Sequence, residues 1–151
     1  MILISVQEEF KDLIKDQILR SAVENTFGLC EVSDSPSLSV RITDDNEIQA
    51  LNLQYRGFDK PTDVLSFPTD FTDPDLDSRY FGDVVISYPR AEEQSKKRGH
   101  PVEAELQLLV VHGVLHLLGN DHAEKREKEL MWDLQGKVLE RLGLNIQVED
   151  S

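Results

Sequence analysis

The chain has 151 residues, 39% of them hydrophobic, which is enough apolar material for the core of one ordinary domain spanning 1–151. Its 29 acidic and 16 basic residues give a formal net charge of −13, which excludes indiscriminate surface-wide attraction to nucleic acid. No apolar stretch approaches the roughly 18 residues of a membrane span, no basic and apolar leader opens the chain, and the single cysteine, Cys30, cannot form an intramolecular disulfide. The expectation is a soluble, cytoplasmic protein.

In chain order, Met1 to Val6 has β character. Phe10, Leu13, Ile14, Ile18 and Ala22 recur at helical spacing and predict one amphipathic helix from Gln7 to about Phe27. The run Ser33-Asp34-Ser35-Pro36 predicts a loop. Leu38, Val40 and Ile42 alternate through a half-buried strand, Ser37 to Thr43, after which Asp44 or Asp45 is placed to cap a helix reaching about Tyr55. Val64 to Phe67 and Val84 to Ser87 read as two further strands. Between them Thr69 to Tyr80, rich in aspartate with Pro74, predicts a mobile surface connector in a position to act as a lid.

From Tyr88 onward the pattern is helical: a short helix to about Arg98, an apolar one opened by Pro101, and a last one from Ala123 to Leu142. Leu130, Leu134, Val138 and Leu142 form the predicted packing stripe of that last helix, and Met131 beside it reads as core filler rather than as a residue beneath a metal. Strands first and helices last give an α+β fold, a small mixed sheet packed against several helices.

The apolar helix carries the chemistry. His112 and His116 are four residues apart, so they share one helix face, and Gly119 allows the chain to stop and turn His122 back toward them. Burying imidazoles among Leu108, Leu109, Val111, Val114 and Leu115 without partners would be costly. Three neutral imidazoles with one open position describe a catalytic zinc site, although nickel, copper or iron also accept such ligands. Zinc proteases of the His-Glu-x-x-His type place their general base beside the first ligand, and this chain has Gly113 there. Asp121, three residues before Glu124, reads first as the opening of a capping box and second as a carboxylate orienting His122.

Two upstream segments accompany the histidines: Tyr55-Arg56 followed by Pro61-Thr62-Asp63-Val64-Leu65-Ser66-Phe67-Pro68, and then Gly82-Asp83-Val84-Val85-Ile86-Ser87. Together, over residues 40 to 125, the three motifs resemble the YbeY-type endoribonucleases, bacterial metal-dependent enzymes of ribosomal RNA maturation and ribosome quality control. Asn120 departs from the tyrosine common in that family. The resemblance implies zinc ligation by His112, His116 and His122, a catalytic role for Arg56, and a zinc-hydrolase-like metal helix. It also implies cleavage of single-stranded ribosomal RNA, including maturation of the small-subunit RNA 3′ end, with the ribosome or its proteins as partners and no membrane or DNA partner.

A guanidinium suits that role, because it can grip a phosphate through two parallel hydrogen bonds, although Arg56 before Gly57 could also simply complement a helix dipole. Lys60 and the run Lys96-Lys97-Arg98 are further candidates for a local positive site, the latter equally readable as a solvated helix end. On an acidic chain such a site, or a partner that delivers the RNA, has to supply the contact. Two other classes remain open: a metalloprotease-like hydrolase with a base from elsewhere, and a non-catalytic metal-containing assembly factor.

Overall fold

The computed structural model describes residues 1–32, 36–73, 78–119 and 125–144. Leu38, Val40 and Ile42 are fully buried, as their alternation requires, along a strand β2 (Pro36–Thr43). β1 (Ile2–Val6) and β4 (Ser78–Ser87) run parallel to β2 on either side, and β3 (Val64–Asp73) pairs antiparallel with β4, giving the order β1-β2-β4-β3. The helices are α1 (Asp16–Leu29), α2 (Asp45–Arg56), α3 (Tyr88–Arg98), α4 (Val102–Leu117) and α5 (Lys125–Arg141). The fold is α+β with a small mixed sheet.

Strand alternation divides this sheet into two faces. Val84 and Ile86 of β4 join the main core beneath α4, whereas Val85 joins Leu65 and Ile48 in a smaller cluster beneath α2. The apolar helix α4 is buried nearly all round because it packs against α1, α3, α5 and the sheet. Its first turn is tied down by Glu105, fully buried, whose carboxylate accepts from Arg98 Nη1 at 3.0 Å and meets His100 Nε2 at 2.7 Å. A carboxylate so far from water requires such partners.

Three expectations are corrected. The helix predicted from Gln7 to Phe27 is broken: a 3-10 helix covers Glu8–Leu13, Ile14 and Lys15 are extended, and α1 follows. The break rotates the buried face, from Phe10 and Ile14 to Leu19, Ala22, Val23, Thr26 and Phe27, so tertiary packing overrides a continuous helical period. The connector from Thr69 to Tyr80 is in its described part a hairpin, since Phe71 pairs with Tyr80 and Asp73 with Ser78; residues 74–77 lie outside the described residues. Extended-backbone formers such as Phe71, Thr72 and Tyr80 outweigh the aspartates there. On α5 Val138 of the predicted stripe is buried and Leu134 and Leu142 pack partly buried against the core, but Leu130 is 55% exposed, and Met131, Gln135 and Leu139 widen the buried face to one side of the stripe.

Pro68 and Gly82 face each other across β3 and β4. Proline is tolerated because β3 is an edge strand, and the register shifts between Pro68 and Phe71. At Gly82, φ is +136° and a β-carbon would come within 2.1 Å of the Phe67 carbonyl, so only glycine fits.

The start of α2 follows the sequence signal. Asp44 is its N-cap, accepting from the Glu47 amide at 2.9 Å, and its other oxygen accepts from Gln7 Nε2 at 2.9 Å. The Glu47 amide, and after it Gln7, hold the Asp44 carboxyl below the usual carboxylate range. Asp44→Ala is expected to cost about 1 kcal/mol in a denaturant titration at neutral pH. The cap's contribution is complete above the unfolded carboxylate's range and fades as pH falls through the lowered folded value, so the variant's deficit shrinks in acid.

Candidate functional site

The candidate cleft straddles the edge strand β3. Even positions on β3 look toward α4 and odd ones toward α2. Ser66 accordingly donates its hydroxyl to the Gly113 carbonyl of α4 at 3.2 Å, and Phe67 packs on Tyr55 of α2 with ring centroids 5.2 Å apart. Between these walls opens a cavity of ≈ 700 Å³ lined by Tyr55, Arg56, Asp63, Val64, Ser66, Phe67, Pro68, His112, His116 and Gly119.

One helical turn separates His112 and His116, and their rings meet edge to face with centroids 4.7 Å apart. Their Nε2 atoms converge to 3.1 Å. Two nitrogens bound at about 2.0–2.1 Å to one tetrahedral ion would sit about 3.3 Å apart, so the pair already has the bite of a metal chelate. On the other side of the His112 ring, Nδ1 lies 3.0 Å from Gln135 Oε1. A carbonyl oxygen only accepts, so Nδ1 carries the proton and the lone pair of Nε2 faces His116. Among the described residues no group of three His, Cys, Asp or Glu side chains is assembled. His122, with Asn120, Asp121 and Glu124 of the predicted capping box, lies outside them. Gly119 has φ +91°, the left-handed turn expected after the helix.

Gly113 has a steric cause. A β-carbon there would lie 2.6 Å from Val84 Cγ1 and 3.3 Å from Ser66 Oγ, because α4 crosses the sheet in close contact. The position that carries a glutamate in His-Glu-x-x-His proteases is therefore filled by the sheet, and the cleft is built without that base.

Arg56 ends α2, next to Gly57, whose φ of +78° makes the left-handed cap. It thus occupies the last turn, where it complements the dipole, and also lines the cleft with the histidines. Among the described lining residues it is the arginine or lysine. Lys60 stands over the Phe58 ring, 5.6 Å from its centroid. Lys96 and Lys97 pair instead with Glu92 and Glu93 of their own helix at 3.9 and 3.3 Å, and Arg98 serves Glu105, so this run belongs to α3 and not to the cleft.

Two polar groups lining the cleft, Asp63 and Ser66, and one behind it, Gln135, had no role in the sequence reading. Gln135 was hidden in the apolar face of α5, where a polar residue four positions after buried Met131 is the available signal. Asp63 and Ser66 sit within a quoted motif; Asp63 accepts from the Val64 amide at 2.8 Å and from Gln94 Nε2 at 3.2 Å. Met131 is fully buried in the main core cluster, as core filler.

The family model described as endoribonuclease YbeY matches residues 4–143. The endoribonuclease YbeY of Carboxydothermus hydrogenoformans is 46% identical over 127 residues, covering 84% of this chain and 85% of that protein. That of Persephonella marina is 44% identical over 131 residues, covering 85% and 84%. A Thermotoga maritima protein solved in solution superimposes with a TM-score of 0.64 at 31% identity, over 94% of this chain and 89% of that one. The chain belongs to the endoribonuclease YbeY family.

Proposed function

We propose that the protein is a metal-dependent endoribonuclease that cleaves single-stranded RNA during ribosomal RNA maturation, including the small-subunit 3′ end, and in ribosome quality control. The observation that carries the reading is the meeting of His112, His116 and Arg56 in one cleft of a chain whose relatives bear the name endoribonuclease. His112, His116 and His122 hold one divalent ion, zinc being the first choice for three imidazoles. The 3.1 Å approach of two of the nitrogens, and the proton fixed on His112 Nδ1 by Gln135, support that assignment. When bound, the ion supplies a Lewis acid that polarises a phosphoryl oxygen.

The chain's own residues do the rest. Arg56 binds the phosphate beside the scissile bond and offsets charge that builds on its oxygens. Ser66 ties β3 to the α4 backbone at Gly113, which fixes the histidines relative to Arg56. With a net charge of −13 the protein repels RNA at long range, so delivery by the ribosome or ribosomal proteins in the cytoplasm fits better than free search. Among the described residues no helix is long and apolar enough to cross a membrane.

The test offers zinc-loaded protein single-stranded RNA, duplex RNA and casein. We expect cleavage of single-stranded RNA alone, and a loss of about 100-fold in Arg56→Ala, the scale of removing one preorganised donor from a charge-stabilising site. Casein hydrolysis would restore the metalloprotease reading. Intact RNA with every metal-loaded form would favour a non-catalytic assembly factor.

A further inference from the structure

Beyond the catalytic cleft lies a second cavity of ≈ 570 Å³, on the α2 face of the sheet. Tyr55, Phe67 and Pro68 line both cavities and form the ridge between them. We propose that this second cavity receives the unpaired base of a nucleotide flanking the scissile phosphate, with the Tyr55 ring as its stacking surface. The proposal rests on the endoribonuclease reading and names how that site would select single strands.

Tyr55 is 61% exposed although it stands at the junction of two cavities. Its ring is braced against Phe67 at an interplanar angle of 62°, so a largely exposed ring stands on a fixed support. The helix end that carries it is rigid: Asn52, 3% exposed, donates its side chain to the Lys60 carbonyl at 2.9 Å and closes the loop after Gly57. An aromatic ring held this way gives a base a stacking partner at little entropic cost.

The cavity has the two characters of a nucleobase. Leu51, Phe67 and Val85 give it an apolar floor, and Ser39, Arg41 and Asp83 give it a polar rim. The rim is preorganised: Arg41 is held by both oxygens of Glu47 at 2.6 and 2.9 Å, and the Ser39 and Tyr80 hydroxyls both donate to Asp83 Oδ1. Charge selects the strand's other half, because Arg56, adjacent in the chain, lies on the cleft side of the same ridge. A phosphate on Arg56 and its neighbouring base against Tyr55 are parts that one unstacked strand brings together. A base paired within a duplex cannot leave its partner to reach the cavity without breaking that pair.

The proposal is tested by a double-mutant cycle between protein and RNA. Fluorescence anisotropy follows single-stranded oligoribonucleotides binding to His116→Ala protein, with and without Tyr55→Ala, while one abasic residue is scanned along the strand. Tyr55→Ala is expected to weaken binding about 10-fold, and Tyr55→Phe, which keeps the ring, to restore it. At one position the abasic residue should weaken binding to the parent equally and cost Tyr55→Ala protein nothing further. Binding untouched by Tyr55→Ala, or losses that multiply at every position, would overturn the assignment; untouched binding would leave the ridge to a protein partner. Failure of the endoribonuclease reading appears separately, as wild-type protein that binds single strands through Tyr55 and cuts none.

Discussion

His116→Ala is expected to lower cleavage of single-stranded RNA by about 1,000-fold or more, since a Lewis acid contributes several kcal/mol to phosphoryl transfer and about 1.4 kcal/mol is tenfold. In the proposed metal site, removing one of two nitrogens that lie 3.1 Å apart leaves His112 without the bite that a single ion needs. The variant should keep its fold, because His116 is only partly buried and lies in the last turn of α4. Metal content by elemental analysis, circular dichroism and cleavage rate are read on one preparation. Gln135→Leu grades the effect: the His112 Nδ1–H loses its acceptor, and metal affinity should fall about 10- to 100-fold with less loss of rate at saturating metal. A folded, metal-free His116→Ala protein that cleaves RNA at the wild-type rate would remove the metal from the mechanism.

Gly113→Glu, which would write a protease signature into the chain, should instead unfold it. Its β-carbon would sit 2.6 Å from Val84 Cγ1, and its carboxylate would be forced into the seam between α4 and β4. Overpacking costs about 1–3 kcal/mol and an unpaired polar group in such a seam adds a similar amount, so the sum of about 4 kcal/mol approaches the whole stability of a marginal domain. Gly113→Ala separates the two terms. Both Val84 methyls would lie within 3.1 Å of the new β-carbon, which puts the clash at the upper end of that range, about 3 kcal/mol; less about 1 kcal/mol of helix propensity gained over glycine, a net loss of about 2 kcal/mol is expected in denaturant. Neither variant should hydrolyse casein, and an alanine variant as stable as wild type would contradict the close approach of helix and sheet.

What could be read from sequence was whatever local chemistry decides. Asp44 caps α2 because its own side chain reaches an amide three residues on, and Gly57 and Gly119 end their helices through a backbone conformation that glycine adopts freely. The spacing of His112 and His116 fixed their shared face in the same way. The parts that escaped were decided by distant partners. The break at Ile14 and Lys15, and the burial of Met131, Gln135 and Leu139 beside the predicted stripe of α5, follow from which sides meet neighbouring elements; no window of adjacent residues carries that information. Gln135 belongs to this class, since its meaning comes from an imidazole on another helix. His122 remains a reading of the sequence, outside the described residues.

The border position of β3 bears on how the protein behaves in concentrated solution. A strand with one free side offers main-chain donors and acceptors on which a second molecule could extend the sheet. Here Pro68 withholds a donor and the register shift between Pro68 and Phe71 interrupts the regular spacing that a docking strand would need. The same irregularity that shapes one wall of the cleft therefore discourages neighbouring molecules from polymerising edge to edge, and keeps the rim of the sheet open to a different kind of chain.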